Sequence, residues 1–173
     1  FEKMEVNYLI FAYRGFSGNK GKPSELGLYE DALAAKKWLN SKEIEDKDII
    51  LYGESLGTAI AINLAKDNSF SGIILESPFT SMESLAKQYY PYLPVKILLK
   101  DKFNSIEKLN MNKAPLLVMH GKKDKIVPFS MGKKMYSEYK SQKYSYFQEN
   151  DDHMMDFNEN LVRSIKLFIS NLN

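Results

Sequence analysis

The sequence predicts an α/β fold, a mainly parallel sheet covered by helices on both faces. Two observations carry that expectation. Runs of strand type alternate with runs of helical type along most of the chain, the pattern that crossovers between parallel strands impose. In addition, Gly53-Glu54-Ser55-Leu56-Gly57 sits between a short apolar run, Asp48–Tyr52, and Thr58–Ala65, whose composition and length suit a buried helix. A G-x-S-x-G motif at a strand-to-helix turn lifts a serine hydroxyl out at the carboxyl end of a sheet. The helix N-terminus beneath it favours developing negative charge. Glycines at 53 and 57 suit a sharp turn and a close approach of helix to strand. The alternative for the same letters is a glycine-flanked turn carrying an ordinary exposed serine. With these flanks, Ser55 is the best candidate nucleophile.

Taken in order, Val6–Tyr13 (VNYLIFAY) is apolar, β-branched and aromatic, and reads as a strand. Arg14–Lys22 holds Gly15, Gly18 and Gly21 and reads as a loop; no G-K-[ST] follows, which argues against a phosphate cradle. Tyr29–Asn40 reads as a helix with Ala32, Ala35, Trp38 and Leu39 on one face. After the Ser55 strand and helix come strands at Ser71–Glu76, Ala114–His120 and Lys143–Phe147. Ser130–Tyr139 is expected to be helical with Ser130 as its N-cap. Leu161, Ile165, Phe168 and Leu172, spaced four, three and four apart, mark an amphipathic last helix. Residues 79–113 break the rhythm: Pro78, Pro91 and Pro94 bracket a Tyr-rich stretch. That segment reads either as an excursion over the site or as a surface helix pair packed on the core.

At 173 residues, with 44% hydrophobic and 27% charged side chains, the chain suits one domain with a sizeable core. A net charge of +2, from 24 basic and 22 acidic side chains, is too balanced to argue for nucleic acid or an anionic membrane. The lack of cysteine excludes disulfides and thiolate chemistry and suits a cytoplasmic protein. No apolar stretch approaches the roughly 18 residues that a membrane-spanning helix needs.

A serine at its free pKa is a weak nucleophile and needs a base, usually a histidine oriented by a carboxylate. The chain has two histidines. His120 ends a strand and precedes Gly121, a position that suits a structural role. His153 lies in a polar loop after the last strand, among Glu149, Asp151, Asp152 and Asp156. A metal site on that loop is a weak alternative, since no second loop histidine joins it. Asp124 follows the fourth helix-separated strand run in His-Gly-Lys-Lys-Asp, again at a strand's carboxyl end, although it also suits a plain turn. The order Ser55, Asp124, His153, with gaps of 69 and 29 residues, allows all three to meet at one sheet rim.

With these residues placed, the chain resembles a serine hydrolase of the α/β-hydrolase superfamily, and more narrowly the branch that includes protein depalmitoylases and many bacterial hydrolases. The resemblance runs over nearly the whole chain. It is carried by Tyr13-Arg14-Gly15-Phe16, Gly21–Glu25, Gly53–Gly57, Leu75-Glu76-Ser77-Pro78-Phe79-Thr80 and His120–Pro128. It implies Ser55 as nucleophile, Asp124 as acid, His153 as base and the Leu56 N–H as an oxyanion donor. It also implies hydrolysis of an ester or thioester, long-chain acyl groups and lipidated proteins included, with no cofactor or metal. Residues 1–173 then form a single domain, the C-terminal portion of the fold, with a lid-like insertion around 79–113. Such hydrolases begin with strands earlier than Val6–Tyr13, and a loop there donates the second oxyanion N–H. The expectation is therefore that the chain is part of a longer hydrolase, or assembles with a partner that supplies those strands. A serine peptidase on the same residues and a non-enzymatic binding or scaffold module are the competing readings.

Overall fold

The computed structural model describes residues 6–172. Four strands form one parallel sheet in the order β1 (Ile50–Glu54), β2 (Gly72–Glu76), β3 (Leu116–Gly121) and β4 (Lys143–Gln148). Register runs Gly53 to Leu75, Leu75 to Val118, and Val118 to Ser145, so the carboxyl ends of all four strands open onto the same rim. The two central strands are buried along their whole length, as parallel strands covered on both faces must be.

Period-two alternation divides the core. Ile73, Leu75, Leu116 and Val118 face one side, against Ala61, Ile62 and Ala65 of helix α2 (Leu56–Ala65) and Met135 of helix α6 (Phe129–Glu138). Ile74, Leu117 and Met119 face the other, against Leu161, Ile165 and Phe168 of helix α7 (Glu159–Ser170). Each large side chain on that α7 stripe contributes roughly 1.5–3 kcal/mol by leaving water. Asn158 caps α7 by accepting from the Asn160 and Leu161 N–H groups. Leu172 lies past the helix end but packs on the same cluster.

Helix α1 (Glu25–Asn40) starts earlier than Tyr29 because Ser24 caps it through the Gly27 N–H. Its inward face is Leu28 and Ala32; Trp38 lies off that face, is 53% exposed, and has the Lys42 ammonium over its ring. Between β2 and β3 run helices α3 (Met82–Tyr89), α4 (Val95–Leu98) and α5 (Ser105–Lys108). The start of α1 anchors this segment: the Glu25 carboxylate accepts from the Lys102 and Phe103 N–H groups, and Phe103 joins Leu28, Ala59 and Ile60 in a third cluster.

Two further local expectations are corrected. Val6–Tyr13 forms no strand: Tyr8, Ile10 and Phe11 are exposed, and among the described residues the outer edge of β1 pairs with nothing. Strand propensity reflects packing on a neighbouring strand, and without a ladder it has nothing to act on. Ser130 does not cap α6. Pro128 is the N-cap, with extended ψ of 133°, and its carbonyl accepts from the Met131 N–H, which leaves Ser130 inside the first turn.

Candidate active site

The turn after β1 is tight for a stated reason. A Cβ on Gly53 would lie 2.4 Å from the Gly57 carbonyl oxygen, so only glycine lets strand and helix approach there. Nothing lies within 4 Å of where a Gly57 Cβ would stand, so close packing does not explain that glycine. Ser55 sits at φ 49° and ψ −115°, a strained backbone for a residue with a Cβ. It is held there by its N–H donating to Glu76 O and by its carbonyl accepting from the Thr58 N–H and hydroxyl. Leu56 opens α2, so its N–H is one of the first-turn donors that have no acceptor within the helix.

The three residues proposed from chain order meet at the rim. Ser55 Oγ lies 3.1 Å from His153 Nε2, and His153 Nδ1 lies 2.8 Å from Asp124 Oδ2. Facing a carboxylate, Nδ1 carries the ring proton of the neutral imidazole, which leaves Nε2 free to accept from the serine hydroxyl. The Asp124 carboxylate is fully sequestered, and every direction is satisfied. Its Oδ1 accepts from the Ile126 and Val127 N–H groups at 2.8 Å each, Oδ2 accepts from His153 Nδ1, and His120 Nε2 lies 3.2 Å from the same Oδ2. Three donors on one carboxylate fix its orientation.

His120 has a different place. It is wholly buried, and Nε2 lies 2.9 Å from the Val127 carbonyl, which can only accept, so that nitrogen carries the proton. Burial holds its pKa below the ordinary range. The other face of the ring meets Gly132 of α6, where a Cβ would come within 2.2 Å of Nδ1. His120 thus braces Asp124 and the turn behind it.

Four further residues shape the site, and none stood out as a site residue in the sequence. Gly121 lets the His153 loop lie against the Asp124 loop, since a Cβ there would meet the Asp151 and Asp152 carbonyls at 2.3 Å. The Lys123 N–H donates to Asp151 O across the same seam. Ser77, at φ 50° just past β2, donates its hydroxyl to His153 O at 3.2 Å. Its neighbour Glu76 is buried and accepts from the Tyr52 hydroxyl and the Met155 N–H, bracing the loop two residues beyond His153. Burial raises the Glu76 pKa above its ordinary 4.5. The available signal was Glu76 itself, a carboxylate ending an otherwise apolar strand.

Comparison with known proteins agrees with this architecture. Residues 22–165 match the prolyl oligopeptidase family. An uncharacterised protein of Mycobacterium tuberculosis is 41% identical over 131 residues, covering 75% of this chain and 47% of that protein. Lysophosphatidylserine lipase ABHD12 of Danio rerio is 38% identical over 146 residues, covering 74% of this chain and 38% of the lipase. The chain thus spans about half the length, or less, of these curated relatives. Among solved structures, a monoacylglycerol lipase of Paleococcus ferrophilus superposes with a TM-score of 0.65 at 18% identity, covering 89% of this chain and 79% of that one. No helix of the described residues is long and apolar enough to cross a membrane. The parallel sheet, the elbow after its first strand and the family match together place the chain in the prolyl oligopeptidase family of the α/β-hydrolase superfamily of serine hydrolases.

Proposed function

We propose that the protein hydrolyses a carboxylic ester of a lipid-like acyl substrate, with Ser55 as nucleophile, His153 as general base and acid, and Asp124 as the orienting carboxylate. The observation that carries this reading is the continuous relay from Ser55 Oγ through the His153 ring to Asp124 Oδ2, at 3.1 and 2.8 Å. His153 Nε2 takes the hydroxyl proton as Oγ bonds to the carbonyl carbon, and the carbonyl π electrons move to oxygen. The Leu56 N–H, at the positive end of α2, stabilises that oxyanion. On collapse, the carbon–oxygen bond to the leaving alcohol breaks, and the imidazolium returns its proton to that oxygen. Water then repeats the two steps, which releases the acid and restores Ser55. The proton stays on Nδ1 throughout, donated in a hydrogen bond to Asp124, whose charge stabilises the imidazolium.

The likeness to lysophosphatidylserine lipase ABHD12 and to a monoacylglycerol lipase favours a lipid ester over a thioester or a lipidated protein. The prolyl oligopeptidase family match favours a second reading, a serine peptidase on the same residues. Labelling by a fluorophosphonate probe, together with turnover of matched p-nitrophenyl ester and peptide anilide panels, tests both. The expected result is labelling of wild type, none of Ser55→Ala, and an ester rate on the order of 10⁴-fold or more above that of the variant. Equal labelling of both proteins removes Ser55 from the mechanism, and preferential cleavage of the anilides selects the peptidase.

A further inference from the structure

Whole-chain charge balance conceals an uneven distribution. Residues 84–100 contain Lys87, Lys96 and Lys100 and no Asp or Glu; 24 basic residues less these three leave 21 against 22 acidic ones elsewhere. The same stretch carries exposed large apolar side chains at Tyr89, Tyr90, Tyr92, Leu93, Ile97 and Leu98, with Tyr92 97% and Ile97 84% open to solvent. Val95 is the one buried anchor between residues 87 and 98. Pro91 and Pro94 interrupt helix formation, so α3 ends at Tyr89 and α4 is a single turn, which leaves the side chains outside any packed face. Lys87 is paired with Glu83 at 2.8 Å, while Lys96 and Lys100 are exposed on either side of Ile97 and Leu98.

We propose that the α3–α4 segment is a docking surface for an anionic lipid bilayer. Three features fit that partner. Tyrosine rings are amphipathic and settle at the headgroup level, and leucine and isoleucine reach the acyl boundary. Lysine stems cover apolar surface while their ammonium groups meet lipid phosphates and carboxylates, each adding to the attraction. The segment is also tied to the site's rim: the Tyr89 hydroxyl donates to the Lys125 and Ile126 carbonyls, immediately after Asp124. Ile126, itself exposed, extends the apolar surface toward the rim. Docking would therefore hold the mouth of the site against the phase that contains lipid esters, although binding needs no chemistry at Ser55.

The test is co-sedimentation of the Ser55→Ala protein with vesicles of phosphatidylcholine alone and of equimolar phosphatidylcholine and phosphatidylserine. Using this variant separates docking from turnover, so a failed hydrolase assignment leaves the result readable and a failed docking leaves the hydrolase assignment untouched. The expected result is binding to the anionic vesicles at least about tenfold tighter than to neutral ones, lost as salt is raised. A Tyr92→Asp/Ile97→Asp pair and a Lys96→Glu/Lys100→Glu pair should each weaken it about tenfold or more, with thermal melting unchanged because these side chains are exposed. Equal binding to both vesicle types, or binding that neither pair weakens, overturns the proposal. So does a wild-type dimer in sedimentation that Tyr92→Asp dissolves, which would assign the surface to a second copy of the chain.

Discussion

His120 and His153 touch the same oxygen of Asp124, yet one is wholly buried and the other retains 12% side-chain exposure. The difference lies in what carries each ring. His120 is the fifth residue of β3, locked between the Val127 carbonyl and the α6 backbone at Gly132, and burial keeps it neutral. His153 stands on a loop past β4, where its second nitrogen lies 3.1 Å from Ser55 Oγ and the ring keeps an edge open to solvent. A shared carboxylate does not make two histidines equivalent; reach to the Ser55 hydroxyl and exposure to solvent separate them.

The largest effect should come from breaking one histidine at a time. His153→Ala is expected to lower kcat on an ester by on the order of 10⁴-fold or more while the melting curve stays close to wild type. His120→Ala should do its damage through the fold, at about 2–4 kcal/mol in denaturant titration, because it opens a cavity and leaves the Val127 carbonyl without its donor. Similar stability losses for the two variants would erase the contrast drawn above.

Asp124→Asn probes the shared partner. An amide presents a donor where the His153 Nδ1–H now donates, so it favours the wrong His153 tautomer; kcat should fall on the order of 10⁴-fold with KM little changed. The amide oxygen still accepts from the Ile126 and Val127 N–H groups, so the loss in denaturant titration should be small beside the loss in kcat.

The smallest effect concerns the brace behind His153. The folded pKa of Glu76 is raised, so its burial is least costly when protonated, and the protein loses stability as pH rises through that pKa. Glu76→Gln removes the titration and keeps an acceptor for the Met155 N–H. Its Tm should exceed that of wild type at pH 8, and the gain should vanish as pH falls below the ordinary carboxylate value. A gain independent of pH would show that Glu76 is not the titrating group.

The rim residues were legible because their signals are local. Ser55 is announced by two glycines and its flanks, while Asp124 and His153 stand in polar turns after apolar strands, in an order that a parallel sheet can bring together. Val6–Tyr13 shows the opposite case. Its composition is that of a strand, but a strand is a relation between two backbones, and the edge of β1 carries no partner among the described residues. Trp38 misled for a similar reason: its apolar character suggested an inward face, whereas its helical position turns it away from Leu28 and Ala32.

Periodicity, turn chemistry and chain order were enough to specify the kind of sheet, the elbow and the sequence of polar groups around the rim, since each of these depends on neighbours a few residues away. Distances between loops could not be read in that way. That Gly121 admits the Asp151 and Asp152 carbonyls, that Ser77 holds His153 O, and that Asp124 is divided between two rings are outcomes of packing. Such contacts join segments that are remote along the chain, and only the folded core brings them within hydrogen-bonding reach.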